Sequence, residues 1–204
     1  MPFGDLAARL AKNGFEVLAV LNAEEARKAV LDMIPAGADI GLGGSMTIRG
    51  LKLDALLRER GHEVHDHWLP GLDPEEVRQA LRRQISSQVF LTSVNAVTAD
   101  GKLVNIDNTG NRVAAMAFGP EHVIAIVGKN KIVADVHEAV FRVKNRAAPA
   151  NVKRRSGSTP CVMDGSCHDC DSPGRLCRIT SILEKKTRGV GRFTVILVEE
   201  DLGY

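Results

Sequence analysis

Short apolar runs alternate with amphipathic helical segments along almost the whole chain, and this alternation constrains the fold most strongly. The clearest strand-like runs cover 15–21, 38–43, 122–128 and 192–203. The helical segments between them begin at residues that are typical N-caps, such as Asn22, Ser45 and Asp73. Helices that alternate with strands predict an α/β fold, in which a parallel-rich sheet is flanked by helices on both faces.

The remaining segments complete this prediction. Residues 45–61 are expected to form one helix, and a strand, a turn at Asp100–Gly101 and a short returning strand are expected within 88–107. A helix near 176–186 is expected to precede the last strand. A chain of 204 residues can bury one good core. We therefore expect a single domain over residues 1–204, with residues 151–178 as a cysteine-rich loop within it.

Charge and composition exclude several classes of protein. The net charge is only +2 and aromatic residues make up 4% of the chain, which argues against a nucleic-acid partner. The first residues show no basic start followed by an apolar run, and no stretch approaches the ~18 apolar residues of a membrane span. We expect a cytoplasmic protein with no membrane partner.

A glycine-rich turn stands between the second strand and its helix, in the sequence DIGLGGSMTIRGL. Gly43 and Gly44 permit close approach of a ligand to the backbone, and Ser45 and Thr47 offer hydroxyls beside the free N–H groups of a helix start. The motif has neither the spacing of a dinucleotide fingerprint nor the lysine of a P-loop. It predicts an anion-binding turn, and the alternative is a tight turn that binds nothing.

A second polar segment, SVNAVTADGKLVNIDNTGNRVA, spans residues 93–114. Asn95 is expected at a strand end, and Asn111 and Arg112 in the first turn of the next helix. Short polar side chains there can hold a polar ligand, although the same residue types also form turns and caps. The predicted site for a small anionic metabolite thus contains Gly43, Gly44, Ser45, Thr47, Asn95, Asn111 and Arg112.

All four cysteines of the chain lie in one loop, at Cys161, Cys167, Cys170 and Cys177. Four thiolates suit either a [4Fe–4S] cluster or Zn²⁺. Structural zinc sites more often show two CxxC pairs, and this loop has only one, which favours the cluster and leaves zinc as the alternative. Disulfides or free thiols are a third reading, and disulfides are rare in the cytoplasm.

Basic residues surround this loop and the segment before it. Cations at its two ends could offset the charge of a thiolate centre, or form a solvated linker. A second basic group could extend a surface for an anionic substrate or partner. The first group is Lys153, Arg154, Arg155, Arg175 and Arg178, and the second is Lys129, Lys131, Arg142, Lys144 and Arg146. Trp68, the single tryptophan, is expected to pack rather than bind.

Four segments together resemble the LUD family, which is named for lactate utilisation. They are GLGGSMTIRGL, the long stretch from LTSVNAVTADGK to VGKNKIV, RVKNRAAPAN, and TPCVMDGSCHDCDSPGRLCRI. The resemblance implies a fold similar to the NagB/RpiA/CoA-transferase superfamily. Some relatives are accessory proteins of an iron–sulfur lactate oxidation system. The resemblance therefore extends the expectation to oxidation of lactate or another 2-hydroxy acid, electron transfer, and an iron–sulfur redox partner protein.

The wider superfamily does not supply a ready reaction. Sugar-phosphate isomerases of this fold carry a catalytic aspartate where this chain has Asn95, and an amide cannot act as a general base. The glutamate nucleophile of the CoA transferases has no clear equivalent. Three functions remain open: a redox protein with a [4Fe–4S] cluster, a non-redox small-molecule enzyme with structural zinc, and a non-catalytic accessory or regulatory subunit.

Overall fold

A computed structural model of the protein describes residues 3–204, and its strands form two sheets in that part of the chain. The strands are β1 (Glu16–Val20), β2 (Ile40–Leu42), β3 (Val64–His65), β4 (Val89–Thr92), β5 (Ala96–Thr98), β6 (Leu103–Asp107), β7 (His122–Gly128), β8 (Ile132–Val133), β9 (Ile179–Leu183) and β10 (Arg192–Val198). The larger sheet is parallel throughout, with the order β1-β10-β7-β4-β2-β3.

The helices are α1 (Gly4–Lys12), α2 (Ala23–Met33), α3 (Met46–Gly50), α4 (Leu53–Glu59), α5 (Pro74–Ser86), α6 (Asn111–Ala117), α7 (Val136–Arg142), α8 (Ala148–Arg154) and α9 (Cys161–Asp164). A 3₁₀ turn, Lys129–Lys131, follows β7, and a π-helical segment, Val143–Ala147, joins α7 to α8.

The parallel sheet is covered on both faces, as the alternation of elements predicted. On the central strand β7, Ile124 and Ile126 pack with α2, α3 and α4 on one face. Val123, Ala125 and Val127 pack on the other face with α1, α6 and the smaller sheet. Successive side chains of a strand point to opposite faces, so a strand buried on both faces is apolar throughout. The α/β fold class is confirmed.

The smaller sheet has the order β8-β5-β6-β9. The sequence predicted its hairpin at Asp100–Gly101 but not the second sheet to which this hairpin belongs. The chain leaves the parallel sheet after β4 and enters the second sheet at β5, so the expected single strand is two strands. Asn95 lies at the crossing, where its Oδ1 accepts a hydrogen bond from the Ile106 N–H at 3.0 Å and its own N–H donates to Asn105 Oδ1 at 3.2 Å. Side-chain amides thus extend the pairing of β5 with β6 beyond the regular ladder.

Two predicted helices differ from the structure. Residues 179–183 form β9, antiparallel to β6, where a helix was expected. The segment 45–61 forms two helices, with Lys52 between them in the left-handed region at φ 54°. Leu51 and Leu53 are both buried, and in one continuous helix residues two apart face away from each other. The break lets both side chains reach the core.

Helix α5 begins with the capping arrangement that its sequence predicted. Asp73 Oδ1 accepts hydrogen bonds from the Glu75 N–H at 2.7 Å and the Glu76 N–H at 2.9 Å, and Glu76 Oε2 accepts from the Asp73 N–H at 2.7 Å. Pro74 occupies the first helical position, where a missing N–H costs nothing.

We expect Asp73→Ala to lower the free energy of unfolding by about 1 kcal/mol, because two N–H groups of the first turn lose their acceptor. Urea unfolding would measure the loss. Glu59→Ala is the matched control, since Glu59 is exposed and its side chain makes no hydrogen bond within residues 3–204. An equal loss in both variants would contradict the capping argument.

Candidate functional site

A polar cavity of about 120 Å³ opens where β2 and β4 end, between the two sheets. We call it the ligand cavity. Ligands of open α/β sheets bind at the carboxyl ends of the strands. Of the residues predicted from the sequence, six line it: Gly44, Ser45, Thr47, Asn95, Asn111 and Arg112. Gly43 does not line it, because it packs against the sheet, where a Cβ would lie 2.9 Å from Thr92 Oγ1. That these residues bind a ligand stays a prediction.

The glycine turn shapes one wall of the ligand cavity. Ser45 is the N-cap of α3, and its Oγ accepts a hydrogen bond from the Ile48 N–H at 3.4 Å. Gly44 lies against the ring of Trp68, so a Cβ there would lie only 2.8 Å from Trp68 Cζ2. The glycine is therefore required for the indole to pack at this position.

Arg112 is held rigidly on the opposite wall. One terminal nitrogen donates to Asn95 Oδ1 at 3.0 Å and to the Ile106 carbonyl at 2.7 Å, while Nε lies 3.9 Å from Asp107 Oδ2. Burial lowers the pKa of the Arg112 guanidinium. Nε and the second terminal nitrogen donate no hydrogen bond within the described part of the chain. Arg112 can therefore offer its charge and the N–H groups of its second terminal nitrogen to an anion.

Lys131 lines the ligand cavity, whereas the sequence had grouped it with a basic surface. Its side chain is buried at 3% exposure, and Nζ donates to Thr47 Oγ1 at 2.8 Å and to Ser93 Oγ at 2.7 Å. Burial, with the nearby cations Arg142 and Arg112, lowers the pKa of Lys131 to about 7. One sequence signal for this interior position was available: the lysine follows a fully buried strand, at the carboxyl end of that strand.

Arg142 is likewise buried and does not belong to a basic surface. Its Nε donates to the Asn130 carbonyl at 2.9 Å and a terminal nitrogen donates to the Asn95 carbonyl at 2.8 Å. Two members of the predicted basic surface are thus interior residues that support the cavity. Lys129 and Arg146 are exposed, and Lys144 is half-buried.

The rim of the ligand cavity adds groups that the sequence did not assign to it. Trp68 packs as expected, with the Arg154 guanidinium carbon 4.3 Å from its ring centroid, yet it also lines the cavity. Beside it, His67 Nδ1 lies 2.9 Å from Gln84 Nε2, and burial lowers the pKa of His67. Gln84 Oε1 also accepts from Asn111 Nδ2 at 2.8 Å. Through Gln84, helix α5 thus holds His67 and Asn111 in place.

The four cysteines line a second, smaller cavity of about 20 Å³, which we call the thiol pocket. The loop is held in place by side chains from outside the set of thiols. Asn145 Oδ1 accepts from the Cys167 N–H at 2.8 Å, and Arg175 donates to the carbonyls of Cys170 and Cys177 at 2.6 and 2.9 Å. The sequence spacing placed the cysteines close along the chain, and these contacts arrange them around one space.

All four thiols are free. Burial and the neighbouring thiol of Cys167 raise the pKa of Cys177. Among residues 3–204, no three His, Cys, Asp or Glu side chains converge closely enough to hold one metal ion as they stand. Of the flanking cations predicted to offset a thiolate centre, Arg175 lines the pocket, and Lys144 joins it there.

The two cavities share a wall made of Ala148, Leu176 and Cys177. Cys161, Cys167 and Cys170 line only the thiol pocket, so Cys177 is the thiol that also borders the ligand cavity. A group bound by the thiols would therefore stand directly beside a ligand in the polar cavity.

Comparisons with known proteins agree with this architecture. The family model of the LUD domain matches residues 4–198, so the chain belongs to the LUD-domain family, which is associated with lactate utilisation. A crystal structure of a DUF162 family protein from Deinococcus radiodurans superposes with a TM-score of 0.55 at 18% identity, covering 95% of this chain and 94% of that one. This likeness shows the fold alone. No curated protein matches the chain.

Within residues 3–204, every helix is too short or too polar to cross a lipid bilayer.

Proposed function

We propose that this LUD-domain protein binds a small anionic metabolite beside a four-thiolate metal centre and takes part in oxidising lactate or another 2-hydroxy acid. The observation that carries the proposal is the shared wall at Cys177. It brings a cavity with two buried cations into contact with a pocket that gathers every cysteine of the chain. The cytoplasm, where thiols stay reduced, is the compartment in which we expect it to work.

The ligand cavity suits a short 2-hydroxy or 2-oxo acid. Arg112 can pair with a carboxylate through its charge and an N–H group of its second terminal nitrogen. Asn95 and Asn111 line the same space and supply neutral polar groups for a hydroxyl or carbonyl oxygen. A volume of about 120 Å³ has room for few heavy atoms beyond such an acid. The site binds and orients the substrate, and no acid–base carboxylate stands where the superfamily's isomerases have one.

The thiol pocket supplies the residues for the centre. Cys161, Cys167, Cys170 and Cys177 are the ligands that a [4Fe–4S] cluster takes, and such a cluster, when bound, exchanges single electrons. Lys144 and Arg175 line the pocket, where Asp169 pairs with both, and would offset part of the negative charge of four thiolates. An iron–sulfur redox partner protein would then receive the electrons.

Structural zinc is the second candidate, and the size of the thiol pocket favours it. A space of about 20 Å³ admits one ion, whereas a four-iron core requires the loop to widen. Sulfurs around zinc stand ~3.8 Å apart, from Zn–S bonds of ~2.3 Å in a tetrahedron, so the thiols must close in on a single ion. With zinc, the protein would be a non-redox enzyme or an accessory subunit.

Metal analysis of anaerobically purified protein separates these candidates. We expect brown protein with about four irons and four sulfides per chain, and near-complete loss of both in Cys170→Ala. Ser166→Ala is the matched control, since Ser166 lies in the same loop, is exposed, and its side chain makes no hydrogen bond within the described residues. Colourless protein with one zinc per chain, prepared in the same way, would overturn the redox proposal.

Ligand binding is tested separately with lactate and pyruvate, using the fluorescence of Trp68. It is the single tryptophan of the chain and lines the ligand cavity. We expect both acids to change its emission, and the double variant Ser45→Ala, Arg112→Ala to abolish the response. Arg83→Ala, on the exposed side of α5, is the control. Binding of a purified iron–sulfur partner without any response to these acids would favour the accessory subunit.

A further inference from the structure

We propose that Lys131 meets the anionic group of the bound metabolite and takes up one proton as the metabolite binds. This inference rests on the proposed function, in which the ligand cavity holds a small anion. It assigns the anion-contacting role to a residue that the sequence had grouped only with a basic surface.

Lys131 Nζ has one hydrogen-bonding position that no protein group fills within the described residues. The Thr47 hydroxyl donates its only proton to the Leu202 carbonyl at 3.2 Å, and the Ser93 hydroxyl donates to the Ile126 carbonyl at 2.6 Å. Both hydroxyls must therefore accept from Lys131. A neutral amine spends its two N–H groups on them and keeps its lone pair, while a charged one has a third N–H left for a ligand.

The charges around Lys131 do not balance. Arg142 on α7 and Arg112 on α6 both repel a positive charge on Nζ. No carboxylate of residues 3–204 lies within 4.0 Å of Nζ, and Asp107, the acidic residue lining the cavity, lies beside Arg112. His67, Arg155, Cys177 and Tyr204 are the other titratable groups that face the cavity. A bound anion would supply the missing counter-charge.

Without that counter-charge, burial favours the neutral amine, and the pKa of Lys131 falls to about 7. An anion held against Nζ favours the ammonium form and raises this pKa again. The protein therefore takes one proton from solvent for each anion bound above neutral pH. By linkage, affinity should fall about tenfold for each pH unit above 7 and level off below it.

The experiment combines calorimetry with a direct titration of Lys131. Lactate and pyruvate are titrated into the protein at pH 8 in buffers of different protonation enthalpy, and we expect uptake of about 0.9 proton per ligand, since a group with a pKa of about 7 is mostly neutral there. In the free protein, NMR of labelled lysines should show Lys131 titrating near neutral pH.

Substitutions separate charge from proton uptake. Lys131→Met should lose binding, whereas Lys131→Arg, which is always charged, should keep binding and take up no proton. Lys129→Met is the matched control, because Lys129 belongs to the same 3₁₀ turn but is exposed. Normal proton uptake in Lys131→Arg would show that His67 or another group takes the proton, and would overturn the inference.

The outcomes distinguish this inference from the proposed function. If the acids change Trp68 fluorescence but bind without proton uptake, or with unchanged affinity in Lys131→Met, only the role of Lys131 falls. If Lys131 titrates near neutral pH but neither acid shifts it or binds, both proposals fall. If borohydride traps pyruvate on Lys131 as a covalent adduct, the residue is a nucleophile and the charged-contact role is overturned.

Discussion

Between pH 6 and pH 9, the free energy of unfolding is expected to rise by about 2.5 kcal/mol more in the natural protein than in Lys131→Met. The pKa of Lys131 is about 7 in the folded protein and 10.5 at its ordinary value. Between those values the unfolded chain binds a proton that the folded protein does not. The free energy of unfolding therefore rises with pH. The slope is ~1.4 kcal/mol per pH unit where the unfolded chain binds one whole proton more than the folded protein.

The penalty is largest below pH 7, where folding buries a charged ammonium group without an anion. Lys131→Met should accordingly gain most over the natural protein at pH 6, and the gain should shrink steadily towards pH 9. Urea unfolding at four pH values measures both curves, with Lys129→Met as the exposed control. Two parallel curves would show that Lys131 keeps its ordinary pKa in the folded protein.

Replacing Arg112 by Met is expected to lower the free energy of unfolding by ~3 kcal/mol and to abolish the response of Trp68 to lactate and pyruvate. The Ile106 carbonyl loses a buried donor, Asn95 Oδ1 loses one of two, and Asp107 loses its cationic neighbour. Breaking buried hydrogen bonds to a charged group costs this much because the partners stay desolvated.

Arg112→Lys is the matched variant, because it keeps the charge but not the planar guanidinium that bonds Asn95 and Ile106. We expect it to recover part of the stability and little of the binding. Denaturant unfolding and fluorescence titration on the same samples measure the two effects. A stable Arg112→Met protein that still binds the acids would show that Arg112 neither supports nor forms the ligand cavity.

The sequence predicted the parallel sheet well because each of its strands carries a local signal. β7 and β10 are long apolar runs, and helices such as α5 begin at recognisable caps. Beyond its β5–β6 hairpin the smaller sheet was not predicted, because its pairings with β8 and β9 are distant in sequence. Leu176, Ile179 and Leu183 repeat with helical spacing, yet β6 pairs Asp107 with Ile179 and holds the segment as a strand. Tertiary pairing overrode the local pattern.

The same distinction holds within the site. Gly44, Ser45 and Arg112 were predicted because they stand at strand ends and helix starts, where local chemistry indicates an anion site. Lys131 was assigned to a surface because it stands near other cations in the sequence, such as Lys129. Its burial depends on Thr47 and Ser93, which are 84 and 38 residues away. A hydrophilic residue in an interior position can only be recognised once those distant acceptors are in place.

The π-helical segment between α7 and α8 sets the rotational phase of one wall of both cavities. Val143 and Ala147 face the ligand cavity, Lys144 faces the thiol pocket, and Ala148 borders both. A π-helical segment holds one residue more than the α-helix it interrupts. Winding the same residues as an uninterrupted α-helix would rotate α8 by about 100°. Such a change would carry Asn151 and Val152 off their cavities.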